Sequence, residues 1–200
     1  MRNGVLLGGL VWIVGCGGGT SATQSLVESD PELARMSTEL RMEPRSRLVA
    51  AGHDQVIVPA AVFGTSTDIV AGFSFVAIRD GAGGVRGLYR VSESADGTTS
   101  TYSGHLTCAG VYDFNGLTGN RAKVGGRVDA SDDPGVLAGS FIWWQAIDNH
   151  PLHRPDQSTL AGFGDEAANS AFCSSANVPR FGPFDVGRGE IVVGPGERGD

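Results

Sequence analysis

Arg121-Ala122-Lys123-Val124-Gly125-Gly126-Arg127-Val128-Asp129-Ala130 alternates along its length, with mostly charged odd positions and Ala, Val, Gly, Val and Ala at the even ones. Successive side chains of a strand point to opposite faces, so a period of two with one small or apolar phase predicts a strand with one wet face. The same reading spreads outward. Over residues 99–114, Tyr102, Leu106, Cys108, Tyr112 and Phe114 share one phase, and Thr101, Ser103, His105, Thr107 and Asp113 share the other. Residues 84–93 set Val85, Tyr89 and Val91 against Arg86 and Arg90.

Turn signals fall between these runs: Asp80-Gly81-Ala82-Gly83-Gly84, Ala95-Asp96-Gly97, Asn115-Gly116-Leu117-Thr118-Gly119-Asn120 and Ser131-Asp132-Asp133-Pro134-Gly135. Glycine and Asn/Asp supply the positive φ that tight hairpins need. The pattern predicts an all-β fold of about eight antiparallel strands, near residues 53–62, 69–79, 84–94, 98–114, 120–130, 135–149, 157–163 and 186–193. No helix-length apolar stripe separates them, which argues against a parallel sheet with crossover helices. A meander closing as a barrel, or alternatively folding as a two-sheet sandwich, remains.

The 200 residues, 40% hydrophobic and 18% charged, suffice for one domain and a smaller appendage. Gly and Pro together occupy a fifth of the chain, below the roughly 25–30% that marks low-complexity sequence. A formal net charge of -7 without a basic patch argues against nucleic acid as a partner, since phosphate binding depends on concentrated positive charge.

The N-terminus reads as a targeting segment, with Arg2 followed by the ten apolar residues 5–14. A membrane-spanning helix needs about 20. Ile13-Val14-Gly15-Cys16 resembles the bacterial lipoprotein signal. That resemblance implies a signal peptide over residues 1–15, cleavage before Cys16, a lipid on Cys16, and a bacterial cell-envelope, extracytoplasmic address at the outer membrane or cell surface. The membrane is then a partner reached through acyl chains, which anchor stably when two or more are attached. Residues 16–50 read as a flexible tether opening on a Gly/Ser/Thr tract. Within it, Ser29, Pro31 and Glu32 form a helix start, and Leu33, Met36 and Leu40 follow at helical spacing, predicting a short helix over residues 31–42. The β domain is expected over residues 51–194 and a disordered tail over 195–200.

The order of Gly-Phe-Ser-Phe-Val-Ala (72–77), Leu-Thr-Cys (106–108), Thr-Gly-Asn-Arg-Ala-Lys-Val-Gly-Gly-Arg-Val (118–128), Ala-Ile-Asp-Asn (146–149), Pro155-Asp156, Cys173 and Gly-Arg-Gly-Glu-Ile-Val-Val (187–193) resembles secreted bacterial proteins labelled as post-COAP-1 type domains. The resemblance spans about residues 52–193. It implies an extracytoplasmic β domain and carries no activity. His150-Pro151-Leu152-His153 stands where those proteins tend to have a Gly- and Pro-rich loop.

If Cys16 carries lipid, Cys108 and Cys173 are left in an oxidising compartment and are expected to pair. The one stretch dense in ligand types is residues 148–156, where His150, His153 and Asp156 form a weak metal candidate. A solvated turn accounts for the same residues, because Asp, Asn and Pro favour turns for backbone reasons. No cofactor is expected. Trp143 and Trp144 must point to opposite faces of a strand, so they read either as packing on both sides or as a ligand surface. No Gly-x-Ser-x-Gly elbow occurs, and Ser74, His53 and His105 read as strand residues. The expected function is a lipid-anchored binding or structural module of the envelope, not an enzyme. The alternative is a carrier enclosing a small ligand, with an uncharacterised enzyme the more distant third.

Overall fold

The computed structural model describes Arg35 and residues 46–175 and 182–194. The expected signal peptide, Cys16, residues 195–200 and all of the expected helix except Arg35 lie outside the described residues. The described residues are mostly strand: β1 (Arg47–Val58), β2 (Ile69–Arg79), β3 (Val85–Ala95), β4 (Thr98–Phe114), β5 (Leu117–Ser131), β6 (Phe141–Ile147), β7 (Gln157–Ser158), β8 (Gly162–Gly164) and β9 (Phe184–Val193). Every pairing is antiparallel. The order β5-β4-β3-β2-β1-β9-β7-β6 is closed by the β5–β6 pairing into a ring of eight strands, and β8 pairs beside β7 on β6. The expected all-β meander and its closure are therefore present, as one continuous sheet rather than two stacked ones.

Two hairpins are made by two-residue turns in the left-handed region, Asp96-Gly97 (φ 53° and 78°) and Asn115-Gly116 (φ 51° and 80°). Such turns match the twist of the flanking strands. The second is tighter than the six-residue turn expected from sequence, because Phe114 already pairs with Leu117.

Two aromatic layers fill the ring. Trp144, on β6, is wholly buried, with ring centroids 5.5 Å from Phe73, 5.4 Å from Phe75 and 5.6 Å from Tyr89. Val56, Val91, Val124, Val128 and Ile142 complete the interior around them. Tyr102 stacks on Phe163 at 5.0 Å.

Several strand limits differ from the sequence reading. β1 starts at Arg47 rather than 53, and residues 60–63 leave it to form a short helix, α1 (Ala60–Phe63). The strand expected over residues 135–149 is confined to β6, because Asp133 holds the preceding residues in a turn by accepting from Gly135 N at 2.7 Å and Tyr102 OH at 2.9 Å. The strand expected over 157–163 is split into β7 and β8, both paired with β6. Residues 166–174, which lie between the strands expected over 157–163 and 186–193, form α2 (Glu166–Ser174), started by the Asp165 carboxylate accepting from Ala168 N.

A bulge corrects the facing of β4. Leu106 pairs with Gly126 and Cys108 with Gly125, so Thr107 is an extra residue. One extra residue reverses every side chain beyond it. Tyr102 and Leu106 point inward as expected, but beyond the bulge Ala109 and Val111 take the interior, and Cys108, Tyr112 and Phe114 lie on the outer face.

α2 packs on that outer face, over β4, β5 and β6. The wet face predicted for residues 121–130 is thus dry over its first half: Arg121 is 3% and Lys123 1% exposed. Alternation located the strand, and the helix above it removed the water.

Candidate functional site

Three groups of side chains have the chemistry to support function, and each is set by the ring. The first is inside it. Asp54 shares the inward phase of β1 with Val56 and Val58, so its carboxyl enters the core at 2% exposure. Neither of its oxygens has a hydrogen-bond partner. Ser158 lies beside it on β7, but its hydroxyl donates to Gln145 O at 3.1 Å. Burial, helped by the nearby Asp156 carboxylate and opposed by the Ser158 hydroxyl, pushes the Asp54 carboxyl up to about 8. At neutral pH this side chain is a neutral acid, able to donate one hydrogen bond.

Asp156 is half-buried and fully engaged, one oxygen accepting from Asn149 N at 2.8 Å and the other from Ile191 N at 2.9 Å. It ties the 148–156 loop to β9. Burial also raises its carboxyl, against the lowering effect of those two amides. The weak metal candidate is not assembled: His150 starts a 3₁₀ turn and is exposed, His153 follows it in the left-handed conformation and is exposed, and Asp156 faces the backbone of β9. Among the described residues no three His, Cys, Asp or Glu side chains come together to hold a metal ion. The plainer reading of this stretch as a turn describes its geometry.

The second group lies between α2 and the outer face of β4–β6. Lys123 Nζ donates to the carbonyls of Phe172 (3.3 Å) and Ser175, and lies 4.7 Å from the Phe172 ring centroid. A cation at these carbonyls complements the negative end of the helix. Burial pushes the Lys123 amine down to about 8. Tyr112 OH donates to Cys173 O, and Cys108 is bonded to Cys173 with 6.0 Å between their Cα atoms. The pairing expected from the sequence is present, and its role is to fasten α2 to β4. Gln145 is completely buried in this layer with neither amide atom partnered.

The two tryptophans divide between these regions. Trp144 is in the ring interior, so it offers no ligand surface. Trp143 points the other way and is half-buried, its ring 6.0 Å from that of Phe172 on α2. Gly162 and Gly164 on β8 give its indole room: a Cβ at Gly162 would sit 2.5 Å from Trp143 Nε1. Both tryptophans are packing elements, on opposite sides of one strand.

The third group is on the outside of β1 and β2. His53 Nδ1 and Ser74 Oγ are 2.8 Å apart on directly paired residues, and His53 pairs on its other side with Glu190. Serine, histidine and carboxylate thus share one row across three strands. The histidine is exposed and the serine 7% exposed on a flat sheet face, where the ladder occupies the backbone amides that an oxyanion would require. His105 bonds Asp129 on the neighbouring strand, two residues along from its direct partner Arg127.

Comparison of the chain with protein-family models, with curated proteins and with solved structures finds no match.

Sequence reasoning missed Asp54 and Lys123. For Asp54 a signal was available, because a carboxylate in phase with Val56 and Val58 on an alternating strand has to be buried. For Lys123 the alternation pointed the wrong way, since only recognition of α2 turns its face dry.

Proposed function

We propose that this protein is a lipid-anchored module of the bacterial cell envelope, held by Cys16, whose β ring serves binding or structure rather than catalysis. The observation that carries this reading is the filled interior. Trp144, Phe73, Phe75 and Tyr89 occupy the space in which an eight-stranded carrier would hold its ligand. The Cys108–Cys173 bond supports an extracytoplasmic address, because such bonds persist where the surroundings are oxidising. Asp156 supports a non-catalytic reading, since both its oxygens are spent on backbone amides.

Replacing Cys16 by Ser in the full-length chain tests the anchor. The variant is expected to move from the membrane fraction to the soluble fraction after cell disruption. Retention at the wild-type level would remove the lipid from the proposal. The carrier alternative draws on the unpartnered Asp54 carboxyl, which a small polar ligand would satisfy. A thermal-shift screen with metabolites decides it, since a ligand that binds the native state raises its melting temperature. A shift that disappears in Asp54→Ala would replace the module by the carrier.

A further inference from the structure

Alternate connections of an antiparallel meander leave the sheet at the same end. Segments 59–68, 96–97 and 132–140, which join β1 to β2, β3 to β4 and β5 to β6, therefore share one end of the ring. Hydrogen bonds stitch these segments to one another and to the sheet. Asp96 accepts from Ser66 N and Thr67 N, both at 2.9 Å, and Asp132 accepts from Thr101 N near the start of β4 at 2.6 Å. The exposed large apolar side chains of the described residues all lie at this end: Ile57 (51% exposed) just before the end of β1, Val62 (47%) and Phe63 (40%) on α1, and Leu137 (70%). Leu137 is held in place. Its neighbour Val136 packs on the core, and its own carbonyl accepts from Ser140 N at 3.1 Å and Ser140 Oγ at 2.7 Å.

The same segments carry charge of one sign. Residues 57–68, 94–100 and 130–141 contain Asp68, Asp96, Asp132 and Asp133 and no Lys, Arg or His. Arg127 approaches Gly139 from β5 and leaves the balance acidic. Asp68 accepts from Ala60 N at 3.0 Å and Asp133 from Gly135 N at 2.7 Å, so these carboxylates shape the loops as well as charging them. The amides and hydroxyls around Asp96 and Asp133 hold both below the ordinary carboxylate range, and both stay ionised near neutrality. A bilayer of anionic lipid is opposed by this charge, and so is a second copy, whose symmetric contact would set the same acids against each other. We propose that this end of the ring docks a polypeptide whose contact face carries apolar side chains among Lys or Arg. Apolar anchors at its centre exclude water, and opposite charges around them select the partner. Loops already fixed by hydrogen bonds lose little freedom on docking. The inference deepens the binding reading given above without drawing on lipid at Cys16. Membrane retention of Cys16→Ser leaves it standing, and its own failure leaves the anchor standing.

Photo-cross-linking tests it, with the full chain in phosphatidylcholine nanodiscs and a short synthetic peptide alternating Lys and Leu around one benzoylphenylalanine. Mass spectrometry is expected to place the cross-links within residues 57–63 and 132–140. Val62→Glu/Leu137→Glu, at two exposed positions, should keep the wild-type melting temperature and lower the yield at least about tenfold. Asp68→Asn/Asp132→Asn keeps an acceptor oxygen for Ala60 N and Thr101 N but removes two charges. Its yield should fall at low salt and match the wild type at about 1 M, where charges are screened within about 3 Å. Peptides with Glu in place of Lys, or Ser in place of Leu, should label weakly. Equal labelling by the Glu peptide, or a yield unchanged in Val62→Glu/Leu137→Glu, would overturn the proposal. So would preferential labelling of these residues by a photoreactive phospholipid, which would give this end to the membrane. A doubled mass in sedimentation that Leu137→Glu abolishes would give it to a second copy, with the same consequence.

Discussion

The double variant Cys108→Ser/Cys173→Ser should melt roughly 5–15 °C below the wild type in calorimetry. The bond closes a loop of 65 residues, for which loop-closure entropy alone gives about 4 kcal/mol, with measured losses for native disulfides of about 2–5. A chain of this length loses about 2–4 °C per kcal/mol. The damage should also be local before it is global. α2 has nine residues, short of the roughly 12–15 at which an isolated helix becomes marginal in water. It stays on the sheet through the disulfide, the Lys123 contacts with its last carbonyls and the Trp143–Phe172 stack. Once the bond is gone, amide exchange should quicken first over residues 166–175 and only later in β1–β3. A melting point within about 2 °C of wild type, or uniform acceleration of exchange, would show that the bond does not fasten α2 to the ring. Adding reductant to the wild type should reproduce the variant.

The fold was legible wherever one face of a strand meets the core and the other meets water. Residues 121–130 and 84–94 satisfy that condition in their patterning, and Asp96-Gly97 and Asn115-Gly116 mark turns whose chemistry is local. Legibility failed where a third element intervened. α2 is an Ala-rich helix with a weak apolar stripe, and its start at Asp165 and alanines 167, 168 and 171 were outweighed by the polar composition around them. With α2 unread, Arg121 and Lys123 had to be assigned to solvent. The bulge at Thr107 produced the same kind of error, because no composition signal separates an extra residue from a normal one. Cys108 could be paired with Cys173 by compartment alone, yet its place outside the ring depends on that bulge. The strand limits around β1, β7 and β8 depend on loop anchors, Asp156 among them, that bind positions distant in sequence. Asp54 is a different case, in which the phase of the strand announced a buried carboxylate and only its chemical consequence required the structure.

That consequence is a stability that falls as the solution becomes more alkaline. The folded chain holds the Asp54 proton up to about pH 8, whereas an ordinary aspartate releases it near 3.8. Between these values the folded state binds more protons than the unfolded one, so its contribution is complete below the lower value and is lost as pH rises through the upper. The slope approaches about 1.4 kcal/mol per pH unit for one such group. Glu93 and Asp156, also raised mainly by burial, act in the same direction over a narrower range. Asp96 and Asp133 act oppositely, held low by the hydroxyls and amides they accept from, and they lose their contribution in acid, below the ordinary carboxylate range. Lys123 also acts oppositely, but from about 8 up to its ordinary 10.5, where rising pH relieves the cost of its buried charge. The interval from 5 to 8 therefore isolates the interior carboxyls. Asp54→Asn keeps the shape of the neutral acid and cannot ionise. Denaturant melts should show wild type losing several kcal/mol across that interval, the variant losing clearly less, through Glu93 and Asp156 alone, and the two converging toward pH 5. Parallel curves, with the variant declining as steeply as the wild type, would mean that Asp54 is already ionised in the folded protein and that its carboxylate has found water or a cation inside the ring.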